Sequence, residues 1–346
     1  MNILVFTNDT ASRKWRFDGI ADRFHAYTQH EMYITSWRDW NGDTLGADLV
    51  IIELLTNEAM VKACQKQGAK VIFEADDAFI DTYGKDGRKN LTHITDAHRE
   101  ESLRTIDACD AITVTNQVLA DNFKRFTKKP IYVLPNYIDL NWYGSDKLNI
   151  IRNTDEVRIG WFGSRGHFED LRMVLPALKN VLEKYDNAKL IYCGYGGMSS
   201  SKSSTEVGYG EDVFRDIPRE RREFVLPVSE NLWPIKHATL DLDIGLAPLI
   251  DDYFNKCKTP IKYFEYSILN TPSICSDTLY EDYVRHGETG LIAKNVEDWE
   301  KYLSDLIESK DLRTSIGKAA HADILENWNL DQHWEDFEKV YLKVLN

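Results

Sequence analysis

The stretch Phe254-Asn255-Lys256-Cys257-Lys258-Thr259-Pro260-Ile261-Lys262-Tyr263-Phe264-Glu265-Tyr266 gathers the groups best placed to do chemistry. Thr259 suits the residue that caps a helix, and Pro260 suits the first helical position, where its missing N–H costs nothing. The spacing therefore predicts a helix from here to about Leu269. The start of such a helix presents unpaired N–H groups and a partial positive charge, which together attract an anion. Lys258 stands just before that start and Lys262 lies in the first turn. A cation there opposes the helix dipole by a few tenths of a kcal/mol or more, a placement that a bound anion relieves. Glu265 follows Lys262 by three residues and shares its helix face. Its carboxylate can accept hydrogen bonds from two neighbouring hydroxyls, as on a ribose. The same residues also suit an ordinary surface helix with a Lys–Glu pair.

A second set of polar residues follows apolar runs in the first half of the chain. Asp76 and Asp77 end the run Val71-Ile72-Phe73-Glu74-Ala75, and either could orient a hydroxyl. Neighbours on a strand point to opposite faces, so the pair is poorly arranged as a cation cage, and no metal is expected. Thr7-Asn8-Asp9-Thr10-Ala11-Ser12 follows the first apolar run, with Trp15 and Arg16 just beyond. His93 and His98 lie before and within a segment of helical spacing. A histidine at such a place contacts a ligand or simply packs.

These residues need elements to position them. Apolar, β-branched runs predict strands at 3–6, 47–52, 69–73, 110–114 and 130–134, with helical spacing over 94–108 and 116–126. The pattern lapses into polar residues around 140–156, a linker, and then resumes. Strands are predicted at 157–162, 188–193, 224–226, 242–247 and 273–275, and a helix at 169–185. Residues 196–212, rich in Gly and Ser, read as a loop. In the last segment Trp334, Phe337, Tyr341 and Leu345 recur every three or four residues, an amphipathic helix that must bury one face. Strand–helix alternation of this kind gives doubly wound parallel sheets, in which ligands sit beyond the carboxyl ends of the strands. Two such halves place the default site in a cleft between them.

Composition bounds the reading. The chain has 346 residues, 43% hydrophobic and 28% charged, which fits two α/β domains. No apolar run approaches the roughly 20 residues of a membrane span. Met1-Asn2-Ile3-Leu4-Val5-Phe6 reads as a strand and not as a signal peptide, so a cytoplasmic location is expected. Cys64, Cys109, Cys193, Cys257 and Cys275 are scattered and odd in number, against a disulfide framework or a zinc site. A formal net charge of −14 disfavours nonspecific binding to nucleic acid. The basic clusters Lys124, Arg125, Lys128, Lys129 and Arg219, Arg221, Arg222 read first as solvated surface.

The ordered set of motifs resembles the family 4 retaining glycosyltransferases. It is carried by Ile244-Gly245-Leu246-Ala247-Pro248-Leu249, the 254–266 stretch above, and Thr271-Pro272-Ser273-Ile274-Cys275-Ser276-Asp277. Val71-Ile72-Phe73-Glu74-Ala75-Asp76-Asp77, Ala111-Ile112-Thr113-Val114-Thr115, Val133-Leu134-Pro135-Asn136-Tyr137-Ile138-Asp139, Gly160-Trp161-Phe162-Gly163-Ser164 and Gly287-Glu288-Thr289-Gly290-Leu291-Ile292 agree in order. The resemblance spans roughly residues 71–294. It implies the GT-B fold, two Rossmann-like domains facing each other across a cleft. Residues 1–150, with the final helix 331–346, would bind the acceptor; residues 151–330 would bind a nucleotide-diphosphate sugar, UDP being the nucleotide expected. By position, Glu265 would hold the nucleotide ribose. Lys258 and Lys262 would face the diphosphate and act in catalysis with Asp76. Gly163, Ser164, Arg165 and the Thr259, Pro260, Ile261 backbone would complete the donor site. Asn8, Asp9, Ser12, Trp15, His93 and His98 would meet the acceptor. No cofactor or divalent metal is implied.

One position departs from the family pattern. Its first glutamate falls eight residues before Glu265, at Cys257, and a thiol cannot replace a carboxylate on sugar hydroxyls. Asp251, Asp252 or the backbone near Asn255 would take that part. The acceptor would be a glycan, a lipid-linked sugar or a surface polymer. The alternatives are a modified DNA base as acceptor, or a non-catalytic nucleotide-binding protein of the same fold. A NAD-dependent dehydrogenase is disfavoured because residues 7–12 contain no glycine.

Overall fold

The computed structural model describes residues 1–8, 10–80, 96–144, 154–194 and 213–346. The chain divides into two compact units. The first comprises Met1–Asn141, Lys256–Thr259 and Asn329–Asn346; the second comprises Trp142–Asn255 and Pro260–Trp328. No helix among the described residues is long and apolar enough to cross a membrane.

The first unit is built on strands β1 (Asn2–Phe6), β2 (Glu31–Thr35), β3 (Leu49–Glu53), β4 (Lys70–Ala75), β5 (Ala111–Val114) and β6 (Ile131–Val133). They form one parallel sheet in the order β2-β1-β3-β4-β5-β6. Ile3, Val5, Val50, Ile51, Ile72 and Phe73 are buried, as expected when helices cover both faces of a parallel sheet. The register sets Glu53 beside Glu74 and Glu74 beside Thr113, so polar residues line up across the sheet near its carboxyl edge. β2 has no counterpart among the predicted strands. It is an edge strand in which only Met32 is buried, so it carries no apolar run to announce it.

After β1 the chain winds through Thr10–Arg13, a π-helical stretch Lys14–Asp18 and the helix Gly19–Tyr27. The wider π turn lets the adjacent residues Arg16 and Phe17 both face inward. The final helix, Trp334–Leu345, belongs to this unit and buries Phe337 and Tyr341. Phe24 meets both Trp334 and Tyr341 edge-on.

The second unit contains β7 (Val157–Phe162), β8 (Ala188–Cys193), β9 (Arg222–Val225), β10 (Ile244–Ala247), β11 (Ser273–Ser276) and β12 (Leu291–Ala293). Its parallel sheet runs β12-β11-β10-β7-β8-β9, so the strand order reverses between β7 and β10. Ile159, Trp161, Leu190, Leu246 and Ile274 pack one side of the sheet, while Phe162, Ile191, Leu242 and Tyr266 pack the other. The single helix predicted over 169–185 is two, Phe168–Arg172 and Leu175–Lys184. Pro176, at the start of the second, cannot continue a preceding turn. β12 has only three residues and lies at the end of a segment that reads as a glycine loop. The Gly/Ser-rich stretch 196–212 and residues 145–153 of the predicted linker lie outside the described residues.

The helix Ile261–Ile268 lies directly on β10 because Gly245 makes room for Tyr266. Gly160 and Gly245 are register partners. A Cβ on Gly245 would come within 2.4 Å of the Tyr266 ring, and one on Gly160 within 2.2 Å of Leu242. The Tyr266 hydroxyl then reaches past the glycines to donate to the Gly160 carbonyl at 3.0 Å.

Candidate functional site

In the second unit the reversal between β7 and β10 is the place where an open α/β sheet leaves a crevice at its carboxyl edge. The segments beyond these two strands contain most of the predicted donor residues. After β7, the Gly163 N–H donates to the Cys193 carbonyl at 3.1 Å, and the Ser164 carbonyl accepts from the His167 N–H at 3.0 Å. Gly163 is partly buried, Ser164 exposed. A Cβ at Gly163 would come within 3.2 Å of the Trp161 ring, so the turn packs tightly. Arg165 opens the 3₁₀ turn Arg165–His167, and its side chain lies outside the described residues.

The helix beyond residue 259 starts later than the spacing predicts. It spans Ile261–Ile268, with Pro260 preceding it. Thr259 is not its cap: the Thr259 hydroxyl accepts a hydrogen bond from Asn136 Nδ2 at 3.0 Å instead. The threonine is drawn off by an asparagine 123 residues away, which no local rule contains. Lys262 keeps its place in the first turn, partly buried. Glu265 is 5% exposed. Its Oε1 accepts from Tyr143 Oη at 2.7 Å and from Trp233 Nε1 at 2.8 Å. Both bonds fall on one oxygen, and no described residue donates to Oε2. Burial pushes the Glu265 carboxyl up to about 7, against the pull of Tyr143, Trp233 and the Lys262 charge.

The short segment Lys256–Thr259 belongs to the first unit. Asn116 holds it: Nδ2 donates to the Cys257 carbonyl at 2.7 Å and to the Lys258 carbonyl at 2.9 Å, while Oδ1 caps the helix Gln117–Phe123 through the Leu119 N–H. Asn136 is fixed the same way. Its Oδ1 accepts from Arg16 at 2.8 Å while its Nδ2 holds Thr259. Arg16 is anchored in turn by the Leu134 carbonyl at 2.7 Å and by the buried Glu74. Lys258 Nζ lies 3.3 Å from Asp77. The Cys257 side chain is fully buried, so this position offers a ligand no side chain.

At the carboxyl edge of the same sheet, Asp76 accepts from the Ser12 hydroxyl at 2.9 Å. Burial and the neighbouring Asp77 charge push its carboxyl up to about 7; Ser12 and Arg16 pull against them. Thr7 donates to the buried Glu53 on the neighbouring strand β3. Of the predicted acceptor residues, Ser12 is the one joined to Asp76, which was expected to act in catalysis. Asn8 accepts from Ser36 at 2.7 Å, and Trp15 is partly buried. His98 is exposed in the first turn of the helix Asp96–Ala108. Asp9 and His93 lie outside the described residues. The basic clusters divide. Lys124 pairs with Asp121 on a helix surface, whereas Arg221 and Arg222 are spent on backbone carbonyls, Ala188 at 2.9 Å and Ile217 at 2.8 Å among them.

Several residues that sequence reasoning did not single out hold these segments in place. Asn116 reads as an ordinary helix cap, and Asn136 as a turn residue. Tyr143 and Trp233 read as core aromatics. The pair His167–Asp170 has a sequence signal, since residues three apart meet on a helical turn, but nothing marks them apart from other such pairs.

No family model matches this chain, nor does any curated protein. Solved structures do match. Sucrose-phosphate synthase from Thermosynechococcus elongatus aligns with a TM-score of 0.72 at 12% identity, covering 99% of this chain and 99% of that one. HepE from Anabaena, solved in complex with UDP and glucose, aligns with a TM-score of 0.69 at 11% identity over 99% and 100%. A glycosyltransferase from Rickettsia africae aligns with a TM-score of 0.69 at 12% identity over 100% and 98%. At such identities the likeness is one of fold, and it extends over the full length of each chain. With two parallel six-stranded sheets in this strand order, the chain has the GT-B fold.

Proposed function

We propose that this chain is a retaining glycosyltransferase that uses a nucleotide-diphosphate sugar, with UDP as the nucleotide. The observation that carries the proposal is Glu265. It is a buried carboxyl on the helix packed over the β7–β10 reversal, with both internal hydrogen bonds on Oε1. Such a group suits a pair of ribose hydroxyls. The likeness in fold to glycosyltransferases, one of them solved with UDP and glucose, supports the same reading.

In this reading the bond from the anomeric carbon to the diphosphate oxygen breaks, the acceptor hydroxyl oxygen takes its place on the same face of the sugar, and the hydroxyl proton passes to the departing diphosphate. Charge gathers on the departing diphosphate. The N–H groups at the start of the helix Ile261–Ile268 and the Lys262 ammonium provide positive partners for it. Gly163 and Ser164 let backbone approach the phosphates. The first unit takes the acceptor, with Asp76 and Ser12 orienting its hydroxyl, and no divalent cation is required.

The test is release of nucleoside diphosphate from UDP-, ADP- and GDP-sugars, with and without candidate glycan and lipid acceptors. Release from at least one donor, lost in Glu265→Ala and unchanged by EDTA, is expected. No release and no thermal stabilisation by any of these donors would sink the enzyme reading. Retention is read from the anomeric configuration of the product by NMR.

A further inference from the structure

The β7–β10 reversal is organised around one carboxylate. Asp170 is 1% exposed. Its Oδ2 lies 2.8 Å from His167 Nδ1. Its Oδ1 accepts from the Ile250 N–H at 2.9 Å and from Asn255 Nδ2 at 3.0 Å. His167 ends the turn that follows β7, while Ile250 and Asn255 lie on the segment that follows β10. A single side chain therefore ties together the two segments that flank the crevice. Asn255 is itself fixed, its Nδ2 also donating to the Ile250 carbonyl at 2.9 Å and its N–H to Asp252 at 2.8 Å.

The arrangement determines what His167 can do. Burial pushes Asp170 up, but the hydrogen bonds from His167, Ile250 and Asn255 outweigh it and hold the carboxyl below the usual range. An ionised carboxylate on Nδ1 keeps a proton there and fixes the ring plane. Nε2 is then the ring nitrogen on the side away from Asp170. The ring stands beyond the carboxyl end of β7, the side of the sheet where ligands of such folds bind.

We propose that His167 is a donor-contacting residue whose Nε2 meets the diphosphate, with Asp170 and Asn255 as its positioning residues. The proposal rests on the reading of the second unit as a nucleotide-sugar site. The N–H at Nε2 donates to a phosphate oxygen, a bond that strengthens as the leaving diphosphate gains charge.

Two isosteric replacements separate this role from a structural one. Glutamine places its amide nitrogen near the position of Nε2, and asparagine near that of Nδ1. Calorimetric titration of the full chain would use whichever of UDP, ADP and GDP binds it most tightly, beside the matching nucleoside. His167→Asn is expected to weaken the nucleoside diphosphate about tenfold and leave the nucleoside within about twofold. His167→Gln retains most of the affinity. Asp170→Asn, checked for folding by its melting temperature, moves the diphosphate in the same direction by less and lowers kcat more than it raises KM. Three outcomes would overturn the proposal: parallel loss of nucleoside and nucleoside diphosphate, no loss in His167→Asn, or a greater loss in His167→Gln than in His167→Asn. If the unaltered chain binds none of the three nucleotides, the donor reading itself falls, a result distinct from these.

Discussion

Glu265 carries a cost that pH controls. Its carboxyl is raised from an ordinary 4.5 to about 7, chiefly by burial, so the folded chain favours the protonated form. Both states are protonated below about pH 4, and the cost builds as pH rises from about 4.5 to about 7. Glu265→Gln should therefore unfold like the unaltered chain near pH 4.5. At pH 8 it should be more stable by up to roughly 3 kcal/mol, while losing donor transfer. Urea midpoints at the two pH values measure this, and a variant less stable at pH 8 would contradict it. Asp76 offers a second check. Burial and then the Asp77 charge raise it to about 7. If Asp76 acts as a carboxylate, Asp77→Asn should move the acidic limb of the kcat/KM profile to lower pH, since removing the neighbouring charge eases ionisation. Lys258 and Glu265 were legible because a helix start and a carboxylate are local patterns. Their partners were not: Tyr143 lies 122 residues from Glu265, and Asp77 lies 181 from Lys258. Spacing rules reach only as far as one turn or one pleat.

At the scale of elements, the placement of the helix Ile261–Ile268 depends on what is missing from β10. Gly245→Ala would drive a methyl group into the Tyr266 ring, 2.4 Å away. A loss of about 1–3 kcal/mol of stability follows from such overpacking. Because Glu265 precedes Tyr266 on the same helix, nucleotide affinity should fall with it; thermal melting and titration measure the two. The buried central strands were readable as apolar runs, since both their faces are covered. β2 was not, because at the sheet edge only Met32 is buried, and β12 was not, because three residues make no pattern. The helix start was misplaced by one residue, since Asn136 takes the Thr259 hydroxyl that a local rule assigns to the cap.

At the scale of the whole molecule, the chain leaves the first unit after Asn141 and returns to it at Asn329. The two crossing points meet. Ile138 and Asn329 form a parallel bridge, and the buried Arg23 pairs with Asp139 and Asp331, each at 2.7 Å. Arg23→Ala would strand the buried Asp139 without its cation, at about 3 kcal/mol or more. The helix Trp334–Leu345 should then become a preferred site of limited proteolysis. The exit after Asn141 falls at the start of the polar stretch 140–156, nine residues before the expected boundary at 150. The brief return of Lys256–Thr259 to the first unit has no local signal, for it rests on Asn116 and Asn136.

The stitch at Arg23 also sets an order of events during synthesis. A ribosome delivers Arg23 and Phe24 before the second unit, but Asp331, Trp334 and Tyr341 only after it. The first unit therefore waits, its sheet made but one flank uncovered, until all of the second has emerged. At about 5–20 residues per second, that wait lasts tens of seconds or less. The first unit is thus completed by residues that follow the second in the chain.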